Sequence, residues 1–354
     1  MMAKAGMDEP LPEPRRTNRL VGQFAAEAAF LQAWRSGRVH HAWLFVGPPG
    51  IGKATFAYAV ARFVLAGGPA AEGLGVPPDH QVFRQVAAGS HPDLVVLEGC
   101  ATTPIGAIRE RIGVDEVRAL SSALRKTPAE SAWRVGLVDP AEAMGREAAN
   151  ALLKLLEEPP PRTLLLLVSH APGRLLPTIR SRCRRLALSR LAYADVLALI
   201  GELRPGIERD LAERAAQLAS GSVGRALALL EEECRPWVLA APDPLAEFFG
   251  LDHVRAHALA EVFAKPGAEE AFSLFLDLLR SELFARARSL ARHESCGNGP
   301  SLEACAQLWD NLGHLSRATA ALALDRKQAT LAALAALARG SPVAFDLVRP
   351  SSDG

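Results

Sequence analysis

The sequence predicts an α/β domain with a mainly parallel sheet, followed by two all-helical parts. Three observations carry this. Short apolar runs alternate with amphipathic helical stretches up to about residue 188. A Gly/Pro-rich turn joins the first apolar run to a helix. Beyond residue 189 the strand pattern stops, and Ala/Leu-rich helical patterns run on. The chain has 354 residues, 49% of them hydrophobic, which suits about two to three domains and excludes wholesale disorder.

Residues 1–18 hold charges and prolines without the apolar stretch of a signal peptide, and read as a flexible tail. A helix is predicted over 25–34, ending near Gly37. Residues 42–46 form a buried strand before the turn, and 55–65 a helix closed by Gly67-Gly68. After a Gly/Pro-rich loop at 67–78, a second strand follows His91-Pro92-Asp93, at 94–97. The helix at 114–124 opens with Asp115-Glu116, which suits the positive end of its dipole. A third strand is expected at 135–138 and an amphipathic helix at 147–157, stopped by Pro159-Pro160-Pro161. A fourth strand lies at 164–168 and a fifth at 186–188. Apolar strands of this kind are covered on both faces, as in parallel sheets. Short helices follow at 192–203, 210–220 and 224–233, then a hinge at 236–244. Further helices continue to the C-terminus, broken by a loop at 295–300. The plan is a tail (1–18), an α/β domain (19–188), a small helical domain (189–236) and a C-terminal helical domain (243–345).

Forty basic residues face 39 acidic ones, so no global basic field marks the chain as an obligate nucleic-acid coat. The five cysteines, Cys100, Cys183, Cys234, Cys296 and Cys305, form no CxxC pair. Buried reduced thiols in a cytoplasmic protein are expected. The best apolar run, 164–168, has the length of a strand and not of a membrane span.

The chemistry concentrates at Gly47-Pro48-Pro49-Gly50-Ile51-Gly52-Lys53, between a strand and a helix. This is the setting of a phosphate-binding loop. Glycines let backbone N–H groups face a phosphate, the helix N-terminus adds positive potential, and Lys53 reaches the outer phosphates. The next position normally carries the Ser or Thr whose hydroxyl binds Mg²⁺. Here it is Ala54, followed by Thr55. One helical step turns a side chain by about 100°, so Thr55 does not simply replace it. A nucleotide, ATP or ADP, is expected at this altered loop, with Mg²⁺ only alongside it.

A second alteration lies at Val135-Gly136-Leu137-Val138-Asp139, an apolar strand ending in an acid. In P-loop ATPases such an acid holds the metal, and a Glu after it orients the attacking water. Pro140 stands there instead, and Glu142 is not expected to take over. Asp139 could equally cap a helix beginning at Pro140.

Several strings together resemble the delta-prime subunits of the bacterial DNA polymerase III clamp loader, of the AAA+ class. They are His40-His41-Ala42-Trp43, the loop through Thr55, His91-Pro92-Asp93-Leu94, and Val114-Asp115-Glu116-Val117-Arg118. Further on come Asn150-Ala151-Leu152-Leu153-Lys154, Leu156-Glu157-Glu158-Pro159-Pro160, Ser181-Arg182-Cys183 and, in the last domain, Asp325-Arg326-Lys327-Gln328. The resemblance covers most of the chain from residue 20 to about 230. It implies an AAA+ P-loop NTPase-like sheet domain, a helical lid and an all-α collar. It implies a pentameric ring with tau/gamma-like motor subunits and a delta-like subunit, acting on a sliding clamp and primer-template DNA, away from membranes.

By the same resemblance Arg182 is a trans arginine finger, directed at ATP held by a neighbouring subunit. A guanidinium forks onto phosphate oxygens and stabilises charge developing on a transferred phosphoryl group. A surface ion pair within Arg180, Arg182, Arg184 and Arg185 is the plainer alternative. Ser169 takes the first-sensor position and Arg225, in Gly221-Ser222-Val223-Gly224-Arg225, the second. Arg109, Arg111 and Arg118 either face DNA or form a solvated helix face. Many relatives carry a four-Cys zinc module after the first helix. Here 67–92 has no Cys, only His80 and His91, so no zinc is expected. With Ala54 and Pro140 in place, little or no ATP hydrolysis by this chain is expected. A competent tau/gamma-like motor and a P-loop small-molecule kinase remain alternatives.

Overall fold

The computed structural model describes residues 13–69, 73–99, 111–241, 247, 252–292 and 299–340. The chain divides into two compact units, one of residues 1–207 and 219–225, the other of 208–218 and 226–354.

The first unit is built on five parallel strands: β1 (Ala42–Val46), β2 (Leu94–Glu98), β3 (Arg134–Asp139), β4 (Thr163–Ser169) and β5 (Arg184–Ala187). Their order across the sheet is β2-β3-β4-β1-β5. β1 and β4 are buried along their whole length, which is why both read as unbroken apolar runs rather than alternating ones. Helices pack on both faces: α1 (Phe24–Arg35), α2 (Lys53–Leu65), α3 (Gln81–Ala87), α4 (Val114–Leu124), α5 (Arg146–Glu157) and α6 (Pro177–Arg182). One core gathers Phe30, Trp43, Phe45, Phe56 and Phe63. The opposite core gathers Leu44, Leu120, Leu152, Leu167 and Ile179. α7 (Tyr193–Leu203) follows the sheet.

Motif residues hold this frame together. Asp93 is fully buried and accepts N–H groups from Ala129 (2.7 Å), Glu130 (2.8 Å) and Ser131 (2.8 Å). The ring of His41 lies 3.0 Å from the Leu156 carbonyl at the end of α5, one of the acceptors a helix terminus leaves open. Glu116 accepts the Gly113 N–H at 2.7 Å and fixes the start of α4. Part of the stretch read as a tail is anchored. Buried Arg62 donates to the carbonyls of Arg15 (2.9 Å) and Thr17 (2.6 Å); residues 1–12 lie outside the described ones.

The second unit contains α8 (Arg209–Leu218), then α9 (Val223–Leu229), whose first residues belong to the first unit, and α10 (Arg235–Ala240). It continues with α11 (His253–Phe263), α12 (Glu269–Ala291), α13 (Leu302–Leu322) and α14 (Arg326–Arg339). The stretch read as a hinge begins as α10, because Trp237 is fully buried against Phe263 and Phe275. Phe248 and Phe249 lie outside the described residues. Asp325 caps α14 by accepting the Gln328 N–H at 3.0 Å. Arg326 donates to the carbonyls of Phe263 (3.0 Å) and Lys265 (2.9 Å) and to Glu269 (2.6 Å).

Cys183, Cys234 and Cys305 are buried, reduced thiols; Cys100 and Cys296 lie outside the described residues. Burial pushes the first two thiols up to about 12. Among the described residues no helix is long and apolar enough to cross a membrane.

Candidate nucleotide-binding site

Ligands of open parallel sheets sit beyond the carboxyl ends of the strands, where the strand order turns back. In this chain β1 runs into the loop Gly47–Gly52 at that end, and its last residue, Val46, lies beside Ser169 at the end of β4. Gly50 and Gly52 have φ of 71° and 90°, a left-handed backbone that L side chains rarely adopt. The N–H groups of Gly52, Lys53, Ala54 and Thr55 have no acceptor among the described residues. Four donors at a helix N-terminus fit a phosphate chain.

Lys53 is 3% exposed, and its ammonium donates to the carbonyls of Gly47 (2.8 Å) and Pro48 (2.5 Å). Burial lowers its pKa to about 8, against the pull of Asp139 and Glu142. It is therefore mostly cationic at neutral pH. Pro48, Pro49, Ala54 and Thr55 are half-buried, while Ile51 is buried in the core.

The fit to Mg²⁺ is poorer. Ala54 has no hydroxyl. Asp139 ends β3 in strand geometry and is not a helix cap, since Pro140 leads into a short turn at Ala141–Ala143. Burial raises the Asp139 carboxyl to about 6, with Lys53 opposing.

That turn returns Glu142 to the site. Its Oε1 accepts the Ser169 hydroxyl at 2.7 Å and also the Ala171 N–H. Its Oε2 is buried without a hydrogen-bond partner among the described residues, as is Nδ1 of neighbouring His170. Burial, with Lys53 adding to it, lowers that imidazole to about 4, so it is neutral at pH 7. Glu142 is therefore placed at the end of β4, bonded to Ser169 and Ala171. The short turn spans the three steps from Asp139 and carries the carboxylate to the end of β4.

The segment before Arg225 closes on the loop. Ser222 donates to the Pro49 carbonyl at 2.9 Å, and the Gly224 N–H to the Gly50 carbonyl at 2.9 Å. A Cβ on Gly224 would stand 2.9 Å from the Gly50 Cα, so the contact requires two glycines. The Arg225 N–H donates to the Ser222 hydroxyl oxygen at 3.2 Å. Gln23, which no sequence signal marked, donates to the carbonyls of Ile51 (3.3 Å) and Ser189 (2.8 Å) and accepts the Ser189 N–H at 3.0 Å.

Arg182 lies at the C-terminal end of α6. Its side chain is 37% exposed, pairs with Glu157 at 2.9 Å and donates to the Thr178 carbonyl at 3.1 Å. A pocket of about 360 Å³ nearby is lined by Leu44, Pro172, Pro177, Arg180, Ser181 and Arg185. Arg184 lies over the Trp43 ring, 4.7 Å from its centroid. Arg118 pairs with Asp115 at 3.1 Å, Arg111 is exposed, and Arg109 lies outside the described residues. His80 and His91 each accept a nearby backbone N–H, from Val82 and Asp93.

The strand order, the loop and the lysine define an AAA+ P-loop domain followed by helical parts. Residues 22–192 match the family model described as DNA polymerase III, delta subunit. DNA polymerase III subunit delta' of Pseudomonas aeruginosa is 42% identical over 182 residues, which is 51% of this chain and 53% of that protein. The Escherichia coli delta' subunit is 36% identical over 201 residues, 56% of this chain and 57% of that one. The gamma/tau subunit of Mycobacterium bovis is 34% identical over 191 residues, 54% of this chain and 31% of that one. The chain thus spans little more than half the length of the delta' relatives it matches.

Proposed function

We propose that this chain is a delta-prime-like subunit of a DNA polymerase III clamp loader in the cytoplasm. It joins tau/gamma-like motor subunits and a delta-like subunit in a pentameric ring that places a sliding clamp on primer-template DNA. Residues 189–236 serve as its lid and 243–345 as its collar. Its own P-loop holds ATP or ADP with little or no hydrolysis, and Arg182 reaches the ATP of a neighbour.

The observation that carries this reading is a contrast. The chain's own site has no hydroxyl at Ala54 and a proline after Asp139, while Arg182 stays half-exposed on α6 in an intact Ser-Arg-Cys triplet. A guanidinium has five donors. The contacts to Glu157 and Thr178 leave others for a phosphate.

The test is clamp- and DNA-stimulated ATP hydrolysis by the loader reconstituted with gamma/tau-type partners, comparing this chain with Arg182→Ala. With assembly shown to be equal, the rate should fall by about 10³-fold or more, the scale of arginine fingers. An unchanged rate would overturn the finger assignment.

A further inference from the structure

The sensor hydroxyl of this site points the wrong way for a phosphate. Ser169 ends β4 beside the first residue of the loop approach, Val46, and is completely buried. Its one proton goes to Glu142 Oε1 at 2.7 Å. A serine hydroxyl has a single donor, so Ser169 has only lone pairs left to offer. The same oxygen of Glu142 takes the Ala171 N–H, which removes a second donor from this end of the sheet. The other oxygen, Oε2, is buried and unpaired among the described residues.

Charge points the same way. Glu142 and Asp139 both act on the ammonium of Lys53, the cation that would meet the outermost phosphate. His170 lies in the same field and is neutral at pH 7. In a P-loop motor a Mg²⁺ ion bridges such carboxylates to the last phosphate. Here Ala54 removes the hydroxyl that would help to hold the ion. An added phosphate at this end would therefore meet acceptors and negative charge. The inner phosphates would meet the N–H groups of residues 52–55, which have no acceptor among the described residues.

We infer that Glu142 makes this site selective for a nucleoside diphosphate over the triphosphate. The inference rests on the proposed nucleotide binding by the P-loop. It adds a specificity-determining residue that supplants the missing carboxylate after Asp139 in place but not in role.

The test is equilibrium binding of ADP and of ATP to the full-length chain, with and without Mg²⁺, by calorimetry. ADP should bind at least about tenfold more tightly than ATP, a preference set by one added charge in a partly buried site. Glu142→Gln keeps an oxygen for Ser169 and Ala171, removes the charge and adds an N–H donor. It should bring ATP to within about twofold of ADP, chiefly by tightening ATP, as expected for loss of that one charge. Circular dichroism checks that the variant is folded, and the wild-type preference tests the inference without any variant. ATP binding as tightly as ADP to the wild-type chain would overturn it. So would a preference unchanged in Glu142→Gln. Binding of neither nucleotide would overturn it together with the nucleotide reading, and leave the Arg182 assignment standing.

Discussion

Asp93 is fully buried and still ionised, because its neighbours are arranged around the charge. Burial alone would raise its pKa. Three backbone N–H groups and Arg134, 3.5 Å away, more than offset that and hold the carboxyl below its ordinary value. Removing the charge leaves three N–H groups without their acceptor and the buried Arg134 without its ion-pair partner, though Arg134 keeps the carbonyls of Ala123 and Thr127. Asp93→Ala should therefore cost about 2–4 kcal/mol of stability, read by urea denaturation at neutral pH. The sign with pH follows from linkage. The folded pKa is depressed below the carboxyl's ordinary value, so this stabilisation is complete above that value and is lost as pH falls through the folded pKa. The gap between wild type and variant should narrow only in acid. A gap constant down to strongly acidic pH would refute the ionised-state argument. The motif His91-Pro92-Asp93 is thus a structural bracket: it fixes the approach to β2 and the turn before β3, not a catalytic group.

At the level of elements, α14 shows what a short polar string can do. Arg326 is its first residue and ties it to the end of α11 and the start of α12 through two carbonyls and Glu269. Lys327 adds an ion pair with Glu261. The Glu269 carboxylate is 63% exposed, so that pair contributes little; the carbonyl bonds are the stronger part. Arg326→Ala should lower stability by about 1–3 kcal/mol, while Lys327→Ala should stay within about 0.5 kcal/mol, both measured by thermal melts. Equal effects would contradict the split. Elements of this kind differ in how well the sequence reveals them. β1 and β4 announce themselves as continuous apolar runs, and the helix at 114–124 has the predicted bounds. α3, α6 and α10 do not, being six or seven residues long with too few turns to show a period. The loop from Gly47 to Lys53 was legible because its function constrains neighbouring residues. The contacts of Gln23, Ser222 and Glu142 are not: Gln23 reaches the Ile51 carbonyl from a stretch with no motif, the string around Arg225 does not show that Ser222 bonds the Pro49 carbonyl, and nothing after Asp139 shows that Glu142 turns back to Ser169.

Across the whole molecule, the chain passes between the two compact units more than once. Residues 208–218 belong to the second unit, 219–225 return to the first, and 226 onward belong to the second again. No single cut can therefore yield the sheet unit intact. A fragment ending at residue 207 loses Ser222 and Gly224, which bond the carbonyls of Pro49 and Gly50. A fragment ending at 225 keeps them but carries α8 without α10, the helix it packs against within its own unit. The apolar face of α8, with Leu211, Ala215 and Leu218, would then be left in water, at a cost of about 25 cal/mol per Å² of apolar surface. The first fragment should be soluble but bind nucleotide more weakly than the whole chain. The second should associate as concentration rises. Sedimentation and nucleotide titration of both fragments beside the full chain separate these outcomes. If the shorter fragment bound nucleotide as tightly as the whole chain, the clasp of Ser222 and Gly224 would have no part in holding the loop. A monomeric longer fragment would show that α8 can cover its face without the second unit.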